Sequence, residues 1–375
     1  MAAVWAVLLL WTVAWSLVQS VGGLYSWHYF VTGGTALLQP GLPGSGLHVY
    51  AAHPDLQMGP LTLVVAAVIV GVGGPFNAFL AALVMTALGA LTLRFLLTLR
   101  AQLRDEPISP RTALYAGLLL IPAWSMLSVY YGHLDDALAL TLTTGAMVAV
   151  AQRRPWLTVV LLAAATGAKP WALPFVVLLL AYPSGRLHRF ASYCGLCALP
   201  WLPFLLADWA TTSISSFTIL NAPDSALRAF GVATAQTPRW DRTAQLVLGV
   251  AIALWCLRID RAFAVPAVVL TVRMLLDPST NSYYTCGLIV VCLYVDLTVR
   301  HRRVPWLAAA VTGWYLIDVL PVWIVPNHVS GDLRALFLLT VLVVLAVPAS
   351  SICAVRDRTV QKGRRTVDAA STARE

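Results

Sequence analysis

The sequence predicts an all-α polytopic membrane protein, a bundle of about 10–12 transmembrane helices. Three observations carry this. The chain of 375 residues is 59% hydrophobic and only 11% charged, against about 25% charged in an ordinary soluble domain. Apolar runs of about 17–22 residues recur from end to end, the length at which a helix crosses a bilayer. Basic residues stand in short clusters between those runs and at the C-terminus, the pattern of cytoplasmic connections. No stretch is polar and long enough to form a separate soluble domain. The net charge of +9 is therefore read as membrane topology, and nucleic acid is excluded as a partner.

Element by element, the expected spans are residues 3–21, 76–98, 112–129, 134–151, 191–207, 244–259, 262–276, 283–299, 304–320 and 334–354. The first is read as an uncleaved spanning helix, because no basic residue precedes Arg94 to form a signal-peptide n-region. Two apolar pieces are not simple spans. Residues 60–73 end at "GVGGP" and are expected to dip into the membrane from the outer face. Residues 156–182 are interrupted by "GAKPW" and are expected to form a hairpin of half-helices. Such breaks at membrane depth are tolerated where the backbone is shielded by protein or lines a cavity.

With that arrangement the inner side collects Arg100, Arg104, Arg111, Arg153, Arg154, Arg186, Arg189, Arg258, Arg261, Arg300, Arg302 and Arg303, together with the basic tail. The outer side collects Asp55, Asp135, Asp136, Asp208, Asp224, Asp241, Asp277, Asp318 and Asp332. Residues 1–354 are thus one transmembrane domain in the plasma membrane, with outer loops at 22–59 and 208–243. Residues 355–375 are expected to be a disordered, basic cytoplasmic tail. Both long loops are expected to carry short helices, the first over Phe30–Leu38, and long ordered loops over a bundle often carry function. Cys194 and Cys197 have C-x-x-C spacing inside a predicted span and read as small residues on one helix face.

No phosphate loop, dinucleotide fingerprint, zinc-protease motif or nucleophile elbow is present. Polar residues at the outer ends of helices remain. In "VYYGHLDDALAL", Asp135 and Asp136 open a spanning helix beside His133. One carboxylate suffices to cap a helix and meet its dipole, so the second acid and the histidine are left over. "AAHPDLQMGPL" sets His53, Asp55 and Gln57 just before the dipping segment. "GAKPW" sets Lys169, the only lysine before the tail, in an apolar region, and a cation at a half-helix break suits a phosphate. "VRMLLDPSTNSYYTCG" holds Arg273 at an apolar helix end, then Tyr283 and Tyr284. An intramembrane arginine is a functional candidate by default.

The succession "WHYF", "HPDLQMGPL", "YYGHLDDALAL", "GAKPWALP" and "LDPSTNSYYTCG" resembles actinobacterial multi-pass proteins related to the C-type glycosyltransferases. The nearest branch is the family-87 kind, which includes polyprenol-phosphate-mannose-dependent mannosyltransferases. The resemblance spans about residues 1–350. It implies a C-type fold with a long first outer loop carrying amphipathic helices. It also implies a polyprenyl-phosphate sugar donor, an envelope lipid or glycan acceptor, and a carboxylate base in the first outer loop.

The chain departs from that pattern where it matters: Tyr25 to Phe30 contain no acid, and the first acid is Asp55. The candidate bases are then Asp55, the pair Asp135/Asp136, or His28, since imidazole titrates near neutral pH. Lys169 and Arg273 are the candidates for holding donor phosphate. Trp27, Tyr29, Tyr131, His133, His53, Gln57, Tyr283 and Tyr284 are candidates for lining the substrate. A divalent cation between the outer carboxylates is compatible with the chemistry, but no ligand spacing assigns a metal site. Two other readings stay open: a transporter or flippase, because broken helices also occur there, and a non-catalytic relative that scaffolds envelope enzymes.

Overall fold

A computed structural model describes residues 1–212, 218–298, 304–319 and 327–346. The described residues are helical with no strand; a single antiparallel bridge joins Leu220 and Gln236. Five stretches are long and apolar enough to cross a membrane by length and composition: Ala2–Gly22, Pro60–Arg104, Pro110–Tyr131, Leu134–Ala151 and His328–Ala346. Four shorter apolar helices join them. This is an all-α architecture of the membrane type. The expected tail 355–375 lies outside the described residues, as do Cys353 and the ends of the expected spans at 299, 320 and 347–354.

In chain order the helices are α1 (Ala2–Gln19), α2 (Trp27–Leu38), α3 (Val49–Ala52), α4 (Pro60–Gly73), α5 (Asn77–Arg104), α6 (Pro110–Ser125), α7 (Leu134–Ala151) and α8 (Pro155–Ala168). They continue with α9 (Arg186–Ala198), α10 (Leu202–Ala207), α11 (Ala226–Ala229), α12 (Asp241–Arg258), α13 (Val265–Leu276), α14 (Tyr284–Thr298), α15 (Trp306–Val319) and α16 (Asn327–Ala346). Proline opens α4, α6 and α8, where its missing N–H costs nothing and its fixed φ suits the first turn. Ser109 caps α6 by accepting from the Thr112 N–H at 3.1 Å. Pro122 lies inside α6, and the helix loosens after it into a π-helical stretch, Met126–Tyr131, as expected where a proline breaks the bonding ladder. Gly132, at φ 72°, ends the run in a conformation that favours glycine.

Side-chain pairs fix how these elements run. Beside α7, α14 runs parallel: His133 stacks on Tyr283, Leu140 lies by Gly287, and Thr144 bonds Tyr294. Alongside it α5 is parallel too, with Thr92 bonded to Thr141 and Phe95 against Gly145. The pair α1 and α6 is likewise parallel, with Leu8 against Gly117 and Gly22 against Tyr130.

The hairpin reading of 156–182 matches the path of the chain. After α8 the chain turns at extended Lys169 and returns as a 3-10 helix, Pro170–Ala181. Tyr182 then reaches back to Thr158 at the start of α8. Both ends of α4 are tied to elements around the head of α7. Gly59 N–H donates to the Ala168 carbonyl beside Lys169. At the other end, the α5 residue Asn77 accepts from the Trp27 indole, and Trp27 packs on Gly132. One expected span differs. Residues 191–207 break at Leu199–Trp201 into α9 and α10, because Pro200 denies the ladder a donor there.

The bundle therefore has two ends. One carries Asp135, Asp136, Lys169, Asp241 and Asp277. The other carries Arg104, Arg154, Arg186, Arg258 and Arg261, at the far termini of α5, α7, α9 and α12. These are called the aspartate end and the arginine end below.

Candidate functional site

The first loop covers the aspartate end. Backbone N–H groups of Leu24, Tyr25 and Ser26 donate to the carbonyls of Val129, Tyr130 and Tyr131 at 3.3, 2.8 and 2.7 Å. Those carbonyls end a helix and have no partner inside it, so the loop takes up groups the π-helical turn leaves free. In α2, Trp27, Phe30, Gly33 and Gly34 form one buried face. A Cβ at Gly34 would stand 3.0 Å from the Ala66 and Ala67 backbone, so only glycine allows α2 to lie this close to α4. The far side of the loop is fastened by Tyr50, which lies against Trp201 and Phe204, and by a His48–Asp208 contact.

Beneath this cover, Asp135 and Asp136 occupy the first turn of α7 and are 3% and 4% exposed. The four carboxylate oxygens are each accounted for. Lys169 Nζ stands 2.7 Å from Asp135 Oδ2 and 2.7 Å from Asp136 Oδ2. The Trp171 indole N–H donates to Asp136 Oδ1 at 2.8 Å, and the Asp136 N–H donates to Asp135 Oδ1 at 2.9 Å. His133 Nδ1 lies 3.4 Å from Asp135 Oδ1. Buried carboxylates persist when paired and hydrogen-bonded, and the positive end of the α7 dipole adds to this.

Aromatic rings wall the cluster. The His133 ring stacks on Tyr283 at 3.9 Å and meets Phe30 edge-on at 6.3 Å. Tyr131 touches Tyr25, His133 and Tyr283. Arg273 lies over Tyr284 at 4.8 Å and Trp171 at 5.4 Å, cation–π distances, and 3.6 Å from Asp277. The gap between Asp136, Trp171, Arg273, Tyr283 and Tyr284 measures about 10 Å³, roughly what one water needs. An open groove of about 560 Å³ lies alongside, walled by Gly22, Tyr25, Trp27 and His28. The Tyr25 ring of its wall packs edge-on against Tyr131 of the cluster.

Asp277 and Asp241 extend the cluster. Arg242 lies 3.7 Å from Asp277 and 3.9 Å from Asp241, and Gln245 donates to Asp241 at 2.8 Å. Asp241 stands three residues ahead of the apolar run 244–259. Burial, joined by the neighbouring Asp277 carboxylate against the pull of Arg242, pushes it up to about 7.

The structure brings together Asp135, Asp136, Lys169, Arg273, His133, Tyr131, Tyr283 and Tyr284. It leaves Asp55 and Gln57 exposed and His53 half-buried, none with a side-chain partner among the described residues. His28 is exposed, bonded to the Tyr25 carbonyl at 2.9 Å and packed on exposed Tyr29, and it faces the groove. Trp27 is buried and bonds Asn77 at 2.8 Å. The "HPDLQMGPL" stretch reaches the cluster through Gly59, which with Thr62 just beyond it is bonded to the Ala168 carbonyl, and not through its acid.

Sequence reasoning passed over Trp171, Asp277 as the partner of Arg273, and the Gly59–Ala168 junction. A signal existed for Trp171: a tryptophan two residues from a buried lysine needs an acceptor for its N–H.

One donor atom from each of His133, Asp135 and Asp136 lies within 4.8 Å of the others, a spread that suits a divalent ion. The Lys169 ammonium stands 2.7 Å from both carboxylates of that set, so the residues as arranged do not fit a divalent ion as well. No family model, curated protein or solved structure matches the chain.

Proposed function

We propose that the chain is an inverting membrane glycosyltransferase of the C-type kind, multi-pass in the plasma membrane with its aspartate end on the extracytoplasmic face and its C-terminus cytoplasmic. It takes a hexose, such as mannose, or a pentose from a polyprenyl-phosphate donor and passes it to an envelope lipid or glycan. The observation that carries this is the carboxylate pair at the head of α7, set among Lys169, Arg273 and aromatic rings under the first loop.

In the reaction, the acceptor hydroxyl oxygen attacks the anomeric carbon while a carboxylate accepts its proton. The bond from that carbon to the phosphate oxygen breaks, and the phosphate leaves with the electron pair, steadied by cations. Of the candidate aspartates, Asp135 and Asp136 contact a cation and Asp55 does not. Two of the three Lys169 donors are committed to carboxylates, leaving one for a phosphate oxygen. The groove beside His28 and Trp27 is the place for the sugar or acceptor, with aromatic faces to stack on it.

The test is transfer of labelled mannose from polyprenyl-phosphate mannose by purified protein. Asp135→Asn/Asp136→Asn is expected to lower transfer by about 10²–10⁴-fold, the share typical of a general base, and Asp55→Asn to leave it unchanged. Full activity in the double variant would remove the pair from the reaction. The transporter reading draws on the broken helix at Lys169 and the closed gap beside it. Vesicle uptake of the lipid with no covalent product would favour that reading.

A further inference from the structure

We infer that Lys169 is the built-in cation of a seat shaped for a divalent ion, and that its ammonium and a divalent ion exclude each other there. The three candidate ligands do not include it. His133, Asp135 and Asp136 offer donor atoms within 4.8 Å of one another, a spread an ion at about 2.0–2.6 Å from each would bridge. A cation already occupies the place: Nζ is 2.7 Å from both carboxylates. The third donor points the same way. His133 Nδ1 is shielded from solvent and stands 3.4 and 3.8 Å from the two carboxylates.

The seat and its cation come from different parts of the chain. The three ligands sit on four consecutive residues around the α7 N-terminus. Lys169 arrives from an extended turn between α8 and the 3-10 helix, so removing its side chain leaves the ligands on their own scaffold. Charge completes the argument. Two buried carboxylates face one ammonium, while the nearby Arg273 is paired with Asp277. A divalent ion would balance the pair fully, so the seat left by Lys169 calls for one. The wild-type site thus needs no divalent ion. This holds whether or not the chain transfers sugar.

The test is Mn²⁺ titration of the purified full chain, read by the loss of the free-ion spin-resonance signal and by thermal unfolding in Mn²⁺ against EDTA. Wild type is expected to bind no stoichiometric Mn²⁺ and to melt at the same temperature in both. Lys169→Ala and Lys169→Gln are expected to bind one Mn²⁺ and to gain about 3 °C or more at saturation. Asp135→Asn added to either variant is expected to abolish both effects. Recovery of monodisperse Lys169 variants in Mn²⁺ but not in EDTA is the same result in another form. One Mn²⁺ bound by wild type and lost in Asp135→Asn would overturn the inference. So would Lys169 variants that bind none, or that fail to fold in Mn²⁺ and EDTA alike.

Discussion

At the scale of single residues, the aspartate end is governed by the cost of burying charge. Lys169, with its side chain 12% exposed, neutralises one of two buried carboxylates directly. Removing one partner of a buried pair strands the others and costs about 3–5 kcal/mol. Lys169→Met is therefore expected to lower unfolding stability by about that amount, and Lys169→Met/Asp135→Asn by less than the sum of the single changes. Denaturation of the three purified variants measures the coupling, and simple additivity would mean the groups do not act together. Asp241 offers a pH test. Its carboxyl is raised to about 7 in the fold, against about 3.9 unfolded, so the fold prefers the neutral form. That contribution is fully present below about pH 4 and is lost as pH rises through about 7. Asp241→Asn, which is always neutral, is expected to melt with wild type at pH 4 and above it at pH 8. An equal difference at both pH values would contradict this.

Elements meet at the site through unusually close backbone contacts. Gly59 sits against the Gly167 carbonyl so tightly that a Cβ would collide with it, and its N–H bonds the Ala168 carbonyl at 2.9 Å. This junction sets the end of α8, and with it the turn that carries Lys169. Gly59→Ala is expected to cost about 1–3 kcal/mol from the forced backbone shift, seen as a lower melting temperature. An unchanged melting temperature would show the junction to be slack. The opposite wall depends on Trp171. Phenylalanine there keeps the ring face for Arg273 and loses the N–H that Asp136 Oδ1 accepts. Trp171→Phe is thus expected to cost about 1–3 kcal/mol by leaving a buried acceptor unpaired.

Across the whole molecule, the two ends differ in charge, and the first loop covers the aspartate end. The first loop is bonded to the Val129–Tyr131 carbonyls on one side and held by Tyr50, between Trp201 and Phe204, on the other. Tyr50→Ala removes the second fastening while leaving the first. It is expected to speed proteolytic cleavage in residues 39–45 at least several-fold with the bundle still folded; an unchanged cleavage rate would mean that the loop is held elsewhere. The orientation proposed here is checked by placing cysteine at Asp55 and at Arg154 in turn. A membrane-impermeant thiol reagent applied to intact cells is expected to label the first position and spare the second.

The sequence alone determined the helical class, the places where apolar runs break, and which polar groups are too costly to be idle in lipid. Hydrophobic length, proline and glycine act locally, and the burial cost of Asp135, Asp136, Lys169 and Arg273 is written in their residue types. Only the tertiary structure decided that Lys169 bridges both aspartates, that Trp171 and Asp277 join them, and that Asp55 stands apart. Those outcomes depend on α4, α7, α8 and α13 meeting at one end, with residues more than thirty positions apart touching. Such pairings are set by packing across the bundle, which local composition does not encode.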